Sequence, residues 1–154
     1  MRGGKLFIYG NTGDKFCSSP NTSREGLIDG NIYVRGSVGS NSIQRMRRGI
    51  IVIEKNIGDN CCSNLISGTI IVKGKIGDNF LENSKRGTIF GSDKKVVKGY
   101  RKANDANYNF IPFMGKLLEL IYDRKVLKGS SFLRYQGCLA NSTNLTEIFL
   151  TRKN

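Results

Sequence analysis

Glycine recurs at positions 30, 49, 68 and 87, a strict interval of 19 residues, and each member heads a short unit. Gly4 fits as an earlier member at a spacing of 26, with seven extra residues around "SSPNTSR" (18–24). A second glycine follows six residues later at 10, 36 and 74, with Lys55 as the exception, and a third nine residues later at 13, 39, 58 and 77. The unit is G-x5-G-x2-G-x9-G, and a fixed period of this length is the signature of a stacked repeat. Nineteen glycines against two prolines, without a Gly-X-Y period, exclude collagen and argue against a helix-rich domain.

Between the first two glycines of each unit lies a run rich in β-branched or aromatic residues: "KLFIY", "NIYVR", "IIVIE" and "TIIVK". Alternation points Leu6/Ile8, Ile32/Val34, Ile51/Ile53 and Ile70/Val72 to one side. Stacking the units aligns Thr12, Val38, Ile57 and Ile76 in one column, and Cys17, Ile43, Cys62 and Leu81 in another. Cysteines that share a column with Ile and Leu read as small core hydrophobes. These features predict an all-β chain, a right-handed parallel β-helix of about 19 residues per rung with a C-terminal capping helix.

Residues 1–91 are then a repeat domain of about four and a half rungs. Residues 92–154 add a basic loop, the helix and two closing strands to the same domain. In "PFMGKLLELIYDRKVLKG", Pro112 suits the first turn and Gly129 the stop. Phe113/Met114, Leu117/Leu118 and Ile121 form its apolar face. The chain opens inside the repeat at "RGG", so either a partner covers that open rung or the form is shortened from a longer solenoid.

The tetrapeptide Ile-Gly-Asp-Asn occurs at 57–60 and at 76–79. Asp59 and Asp78 share a column, close enough to hold a hard cation such as Ca²⁺, or simply to close an Asx turn on nearby backbone N–H groups. Asn60 and Asn79 suit an amide ladder. Turn and ladder are the simpler reading. Gly30, Gly39, Gly49, Gly58, Gly68, Gly77 and Gly87 are the expected corners, with φ values that other residues resist.

The chain has no histidine and no C-x-x-C pair, which argues against a zinc site and leaves no imidazole for proton transfer. Neither phosphate-binding glycine motif is present. No catalytic residue and no metal ligand is assigned.

No apolar run is long enough to cross a bilayer and no leader-like stretch begins the chain. A cytoplasmic protein with reduced thiols is expected, so the sequons at Asn21, Asn141 and Asn144 carry little weight.

A formal charge of +13 allows two readings, a lysine-rich solvated surface or an acidic partner. The candidate partner-binding residues are Arg45, Arg47, Arg48, Lys85, Arg86, Lys94 and Lys95, in a basic stretch that runs on to Lys102. Binding of nucleic acid or another polyanion is the alternative function. It would need aromatics interleaved with these cations, whereas Tyr9, Tyr33 and Phe90 follow the strands.

The stretches "GNTGDKF", "RMRRG", "NLISGTIIVKGKIGDN" and "KRGTI", with the tail "YQGCLANSTNLTEIFL", resemble the GXGXG repeat domain. That domain is shared by the C-terminal part of glutamate synthase and the β-helical subunit of formylmethanofuran dehydrogenase. The order and spacing are most similar to the formyltransferase/hydrolase form of the latter. The resemblance implies a non-catalytic β-helical subunit of an oxidoreductase-type complex in one-carbon metabolism, bound to sister subunits in a hetero-oligomer. Such a complex uses a methanofuran-type carrier and tetrahydromethanopterin on the way from formaldehyde to formate. The chain itself is expected to bind no cofactor, and neither nucleic acid nor membrane is an expected partner. A glutamate-synthase-like spacer is a further alternative. Against the family pattern, Lys55 replaces a repeat glycine, Ser84-Lys85 replaces Met-Arg, and Cys138 stands where an Asp is usual.

Overall fold

The computed structural model describes residues 1–19, 23–92, 97–103, 108–127, 131–137 and 144–151. Lys94, Lys95, Gly129, Cys138, Asn21 and Asn141 lie outside them.

Each repeat unit contributes one strand: β1 (Arg2–Ile8), β2 (Asp29–Val34), β3 (Ile50–Ile53), β4 (Thr69–Val72) and β5 (Arg86–Gly91). They pair in parallel and in register. Ile32 lies beside Ile51, Ile51 beside Ile70 and Ile70 beside Ile89, so the sequence interval becomes the inter-strand step. β6 (Tyr100–Lys102), helix α1 (Phe110–Tyr122), β7 (Phe132–Gly137) and β8 (Leu145–Thr151) follow. β8 continues the parallel stack on β5, whereas β7 pairs antiparallel with β8 and β6 antiparallel with β7. The sheet order is β1-β2-β3-β4-β5-β8-β7-β6.

The expected right-handed parallel β-helix is therefore not what forms. All eight strands belong to one mixed sheet, and the rest of each unit makes only single-residue parallel bridges, Thr12 to Val38, Val38 to Ile57 and Ile57 to Ile76. The reason lies in the backbone beyond the third glycine. There, alternate residues are left-handed: Asn41, Ile43 and Arg45 in one unit, Asn60, Cys62 and Asn64 in the next, then Asn79, Leu81 and Asn83. A run that alternates in this way cannot extend as a strand. It is held by N–H groups that reach alternately forward and back, as Asn60 N–H does to Asp78 O (2.8 Å) and Cys62 N–H to Ser42 O (2.9 Å). Ile43 and Leu81 pack fully into the core in this conformation, which an isolated β-branched or bulky residue would resist by about 1–3 kcal/mol.

The sheet has a core on each face. On one, Ile32, Ile51, Ile70, Ile89 and Ile148 meet the folded-back loops through Ile43, Met46, Cys62, Leu65 and Leu81. The alternation predicted for the strands is the one observed. On the other face, Tyr33, Val52, Ile71, Phe90 and Phe149 are covered by Ile111, Leu118 and Tyr122 of α1, with Val126 and Phe132. The helix thus lies along the sheet rather than over its end as a cap. It also stops earlier than expected, at Asp123, which turns left-handed (φ 53°). A buried polar cluster joins the segment before β5 to β6 and β8, with Ser84 Oγ 2.7 Å from Tyr100 Oη and 3.2 Å from Thr146 Oγ1.

The glycines fall into two classes. Those that head the units, Gly30, Gly49, Gly68 and Gly87, have φ between +101° and +151° and are the corners expected. Gly39, Gly58 and Gly77 carry no such φ. They are required by proximity, since a Cβ on Gly77 would sit 2.4 Å from the carbonyl carbon of Gly58. Gly13, in the same column, would meet nothing within 4 Å. We expect Gly77→Ala to lower stability by about 3 kcal/mol and Gly13→Ala to change it by less than about 0.5 kcal/mol, read from urea unfolding curves.

Candidate functional site

The Gly-Asp-Asn positions form columns across units rather than isolated turns. Asp14 Oδ1 accepts the N–H of Ser40 (2.7 Å), Ser40 Oγ that of Asp59 (3.2 Å), and Asp59 Oδ1 that of Asp78 (2.7 Å). The acceptor thus serves the following unit, not the local backbone as an Asx turn would. A second column of the same kind, not foreseen from the sequence, runs from Asn11 to Ser37 to Asn56 to Lys75. Its signal was the short polar residue, Asn11, Ser37 or Asn56, that precedes each of the first three bridge residues. The amide ladder is present between Asn60 and Asn79, at 3.0 Å. Among the described residues no three metal-ligating side chains gather.

Of the basic residues singled out from sequence, two have partners among the described residues. Arg45 donates to Ser23 O (2.8 Å) and Arg47 pairs with Glu25, so both tie down the inserted segment. Arg48, Lys85 and Arg86 are exposed. Tyr33 and Phe90 are buried, which removes them as surfaces on which bases could stack.

The polar site the sequence did not reveal lies where β2 and β3 end beside the C-terminus of α1. Tyr33 Oη donates to Glu54 Oε1 (2.7 Å), and Lys73 Nζ donates to the same oxygen (2.7 Å). The Arg124 guanidinium stands 5.5 Å from the Tyr33 ring centroid. Burial works against the Glu54 carboxylate. The hydrogen bonds from Lys73 and Tyr33, with the charges of Lys73 and Arg124, outweigh it and hold this carboxyl below its ordinary value. Burial, then the bond to Glu54, raises the Tyr33 phenol. Beside this network opens an apolar cavity of about 420 Å³ lined by Phe90, Val126, Leu127 and Phe132, with Glu54 and Lys73 at its polar side. The three residue groups come from units 19 residues apart and from beyond the helix, so no local motif announces them.

The described cysteines are inert. Cys61 and Cys62 are fully buried, and burial pushes the thiols of Cys17 and Cys61 up to about 11 and that of Cys62 well above its ordinary value.

Two apolar surfaces stay uncovered. Phe113 (68 % exposed), Leu117 and Leu120 (81 % exposed) line the outer face of α1, so part of the face expected to pack inward looks outward. Strand β1 is one of the sheet's two edges among the described strands, with Leu6, Phe7 and the neighbouring Tyr9 exposed. Among the described residues no helix is long and apolar enough to cross a membrane.

Comparison with known proteins bears on all of this. A family model described as "GXGXG motif" matches residues 1–107. No curated protein matches the chain. Among solved structures, the formyltransferase/hydrolase complex (FhcABCD) from Methylorubrum extorquens in complex with methylofuran contains a similar chain, with a TM-score of 0.84 and 26% sequence identity. The likeness covers 98% of this chain and 57% of that one, so this chain spans little more than half the length of the chain it matches.

The Glu54 network has a pH signature. A carboxyl held below its ordinary value of 4.5 stabilises the fold above that pH, and the contribution is lost as pH falls through the folded-state value. Glu54→Gln is expected to cost about 1–2 kcal/mol at pH 7 and progressively less as pH falls below 4.5, measured by denaturant unfolding across that range.

Proposed function

Since the chain belongs to the GXGXG motif family, we propose that it acts as a non-catalytic subunit of a hetero-oligomeric formyltransferase/hydrolase-type complex. The observation that carries this reading is the structural likeness along nearly the whole chain to one chain of such a complex. In this reading the sister subunits perform the one-carbon chemistry. They handle a methanofuran-type carrier and tetrahydromethanopterin, and this chain positions them.

Its own chemistry favours a structural part. There is no histidine, and the buried thiols stay protonated near neutral pH. What the molecule offers instead is contact surface. The outer stripe of α1 provides a row of large apolar side chains at helical spacing. The β1 edge adds exposed Leu6 and Phe7. Both suit a protein partner, since exposed apolar surface of this kind is removed from water on association. The partners fall among the acidic chains, because 25 basic residues against 12 acidic ones favour encounter with opposite charge.

Native purification of the tagged chain from its source cell tests the proposal. The chain is expected to elute with formyltransferase/hydrolase activity in one high-mass fraction. Elution alone, with the activity elsewhere, overturns it. Within such a complex, Phe113→Glu with Leu120→Glu is expected to leave the chain's own melting temperature unchanged and to reduce co-elution at least about tenfold, equivalent to about 1.4 kcal/mol of association.

A further inference from the structure

Lys55 is the one break in a column of glycines, and the structure shows how little room that column has. A Cβ on Gly36 would lie 2.4 Å from Gly10 O, and one on Gly74 would lie 2.5 Å from Lys55 O. Lys55 carries a Cβ in the same row. Its N–H reaches Gly36 O at 3.3 Å, where the neighbouring steps, Gly36 to Gly10 and Gly74 to Lys55, are 3.1 Å. Among the described residues no acid pairs with its ammonium group. A residue that departs from the local rule with no structural return marks a functional position.

The Lys55 side chain lines an open groove of about 400 Å³ with Tyr33, Arg35, Glu54, Arg124 and Lys125. Four cations thus converge on one acid, and that acid is already engaged by Lys73 and Tyr33. No carboxylate among the described residues pairs with Arg35 or Lys125 either. The groove is set rather than incidental. Asp123 turns left-handed and carries the chain from α1 to Arg124 and Lys125, and Arg124 rests on the ring of Tyr33, which Glu54 holds in turn. Four like charges lining one groove repel one another, and an anion seated among them reduces that repulsion. Two guanidinium groups offer paired donors that match planar or tetrahedral oxyanions, while the lysines add point charge.

We propose that this groove is a binding site for a small multiply charged oxyanion, a molecule bearing two or more carboxylate or phosphate groups, gripped by Lys55 together with Arg35, Arg124 and Lys125. The site is independent of the proposed role within a complex and would exist in the isolated chain.

Calorimetric titration of the full chain with citrate and with pyrophosphate, at about 150 mM salt to suppress diffuse attraction, tests it. At least one of the two should bind saturably with one site per chain, and the tighter one identifies the carboxylate or the phosphate class. Lys55→Gly restores the repeat and should fold with at least wild-type stability while weakening binding about tenfold. Arg35→Gln gives a second measure of the same loss. The double variant Lys85→Gln with Arg86→Gln removes two exposed cations at the opposite strand ends and should leave affinity within about twofold. Absence of saturable binding to both anions overturns the proposal. So does an equal loss in the groove variants and the Lys85/Arg86 variant, which would mean attraction to net charge alone.

Discussion

Backbone meets backbone between successive units at a distance that leaves no space for a side chain, and the rest of the structure follows from that approach. The parallel ladder sets a spacing of about 4.8 Å along the stack. At the bridge corners the chain turns so tightly that only glycine passes, as at Gly58 and Gly77. With the units this close, a short polar side chain in one unit can reach the N–H of the next. Asn11, Asp14, Asn56 and Asp59 all do so, and the corner donors that have no strand partner are satisfied by these columns. The left-handed residues that follow are tolerated for the same reason, since the N–H groups of Asn41, Ile43, Arg45, Asn60, Cys62, Asn64 and Leu81 each find a carbonyl in an adjacent unit.

What could be read from sequence was what repeats. Ile32, Ile51, Ile70 and Ile89 share a face because alternation and a 19-residue period both act through local backbone geometry. The Asn60–Asn79 bond was legible on the same grounds. What could not be read was what depends on distant segments. Ile43 and Leu81 are residues that propensity excludes from left-handed backbone, and only the neighbouring units hold them there. The helix carries two apolar stripes, and nothing within it shows that Leu118 and Tyr122 face the sheet while Phe113 and Leu120 do not. Nor could the sequence show that Arg45 and Arg47 are engaged by Ser23 and Glu25, at and beside the inserted segment. The groove around Tyr33 and Glu54 joins three stretches far apart in sequence, and its single advance sign was a glycine replaced by Lys55.

The sheet is used differently on its two sides. One face is filled by the repeat's own loops in a core of Ile, Val, Leu, Met and Cys. The other is aromatic, with Phe90 stacked on Phe149 at 5.3 Å and Tyr33 against Tyr122 at 5.7 Å. Tyr122 also donates to Ile50 O at 3.1 Å, which ties the helix to the repeat strands, while Phe110 packs on Phe149 of β8. The polar network and both cavities lie at the margin of this aromatic face, where α1 ends.

The order of strands in the sheet differs from their order in the chain, and this matters during synthesis. β8 follows the other seven described strands in the chain, yet it sits between β5 and β7 and, among the described residues, links the parallel stack to the antiparallel pair. Until it emerges, the edge of β5 is bare, with Phe90 lacking the ring of Phe149, and β6 and β7 have no sheet to join. The repeat units can assemble one upon another as they appear, but a nascent chain that lacks residues 145–151 carries two unfinished edges. A stalled or clipped product of that length is the form of this protein most prone to self-association.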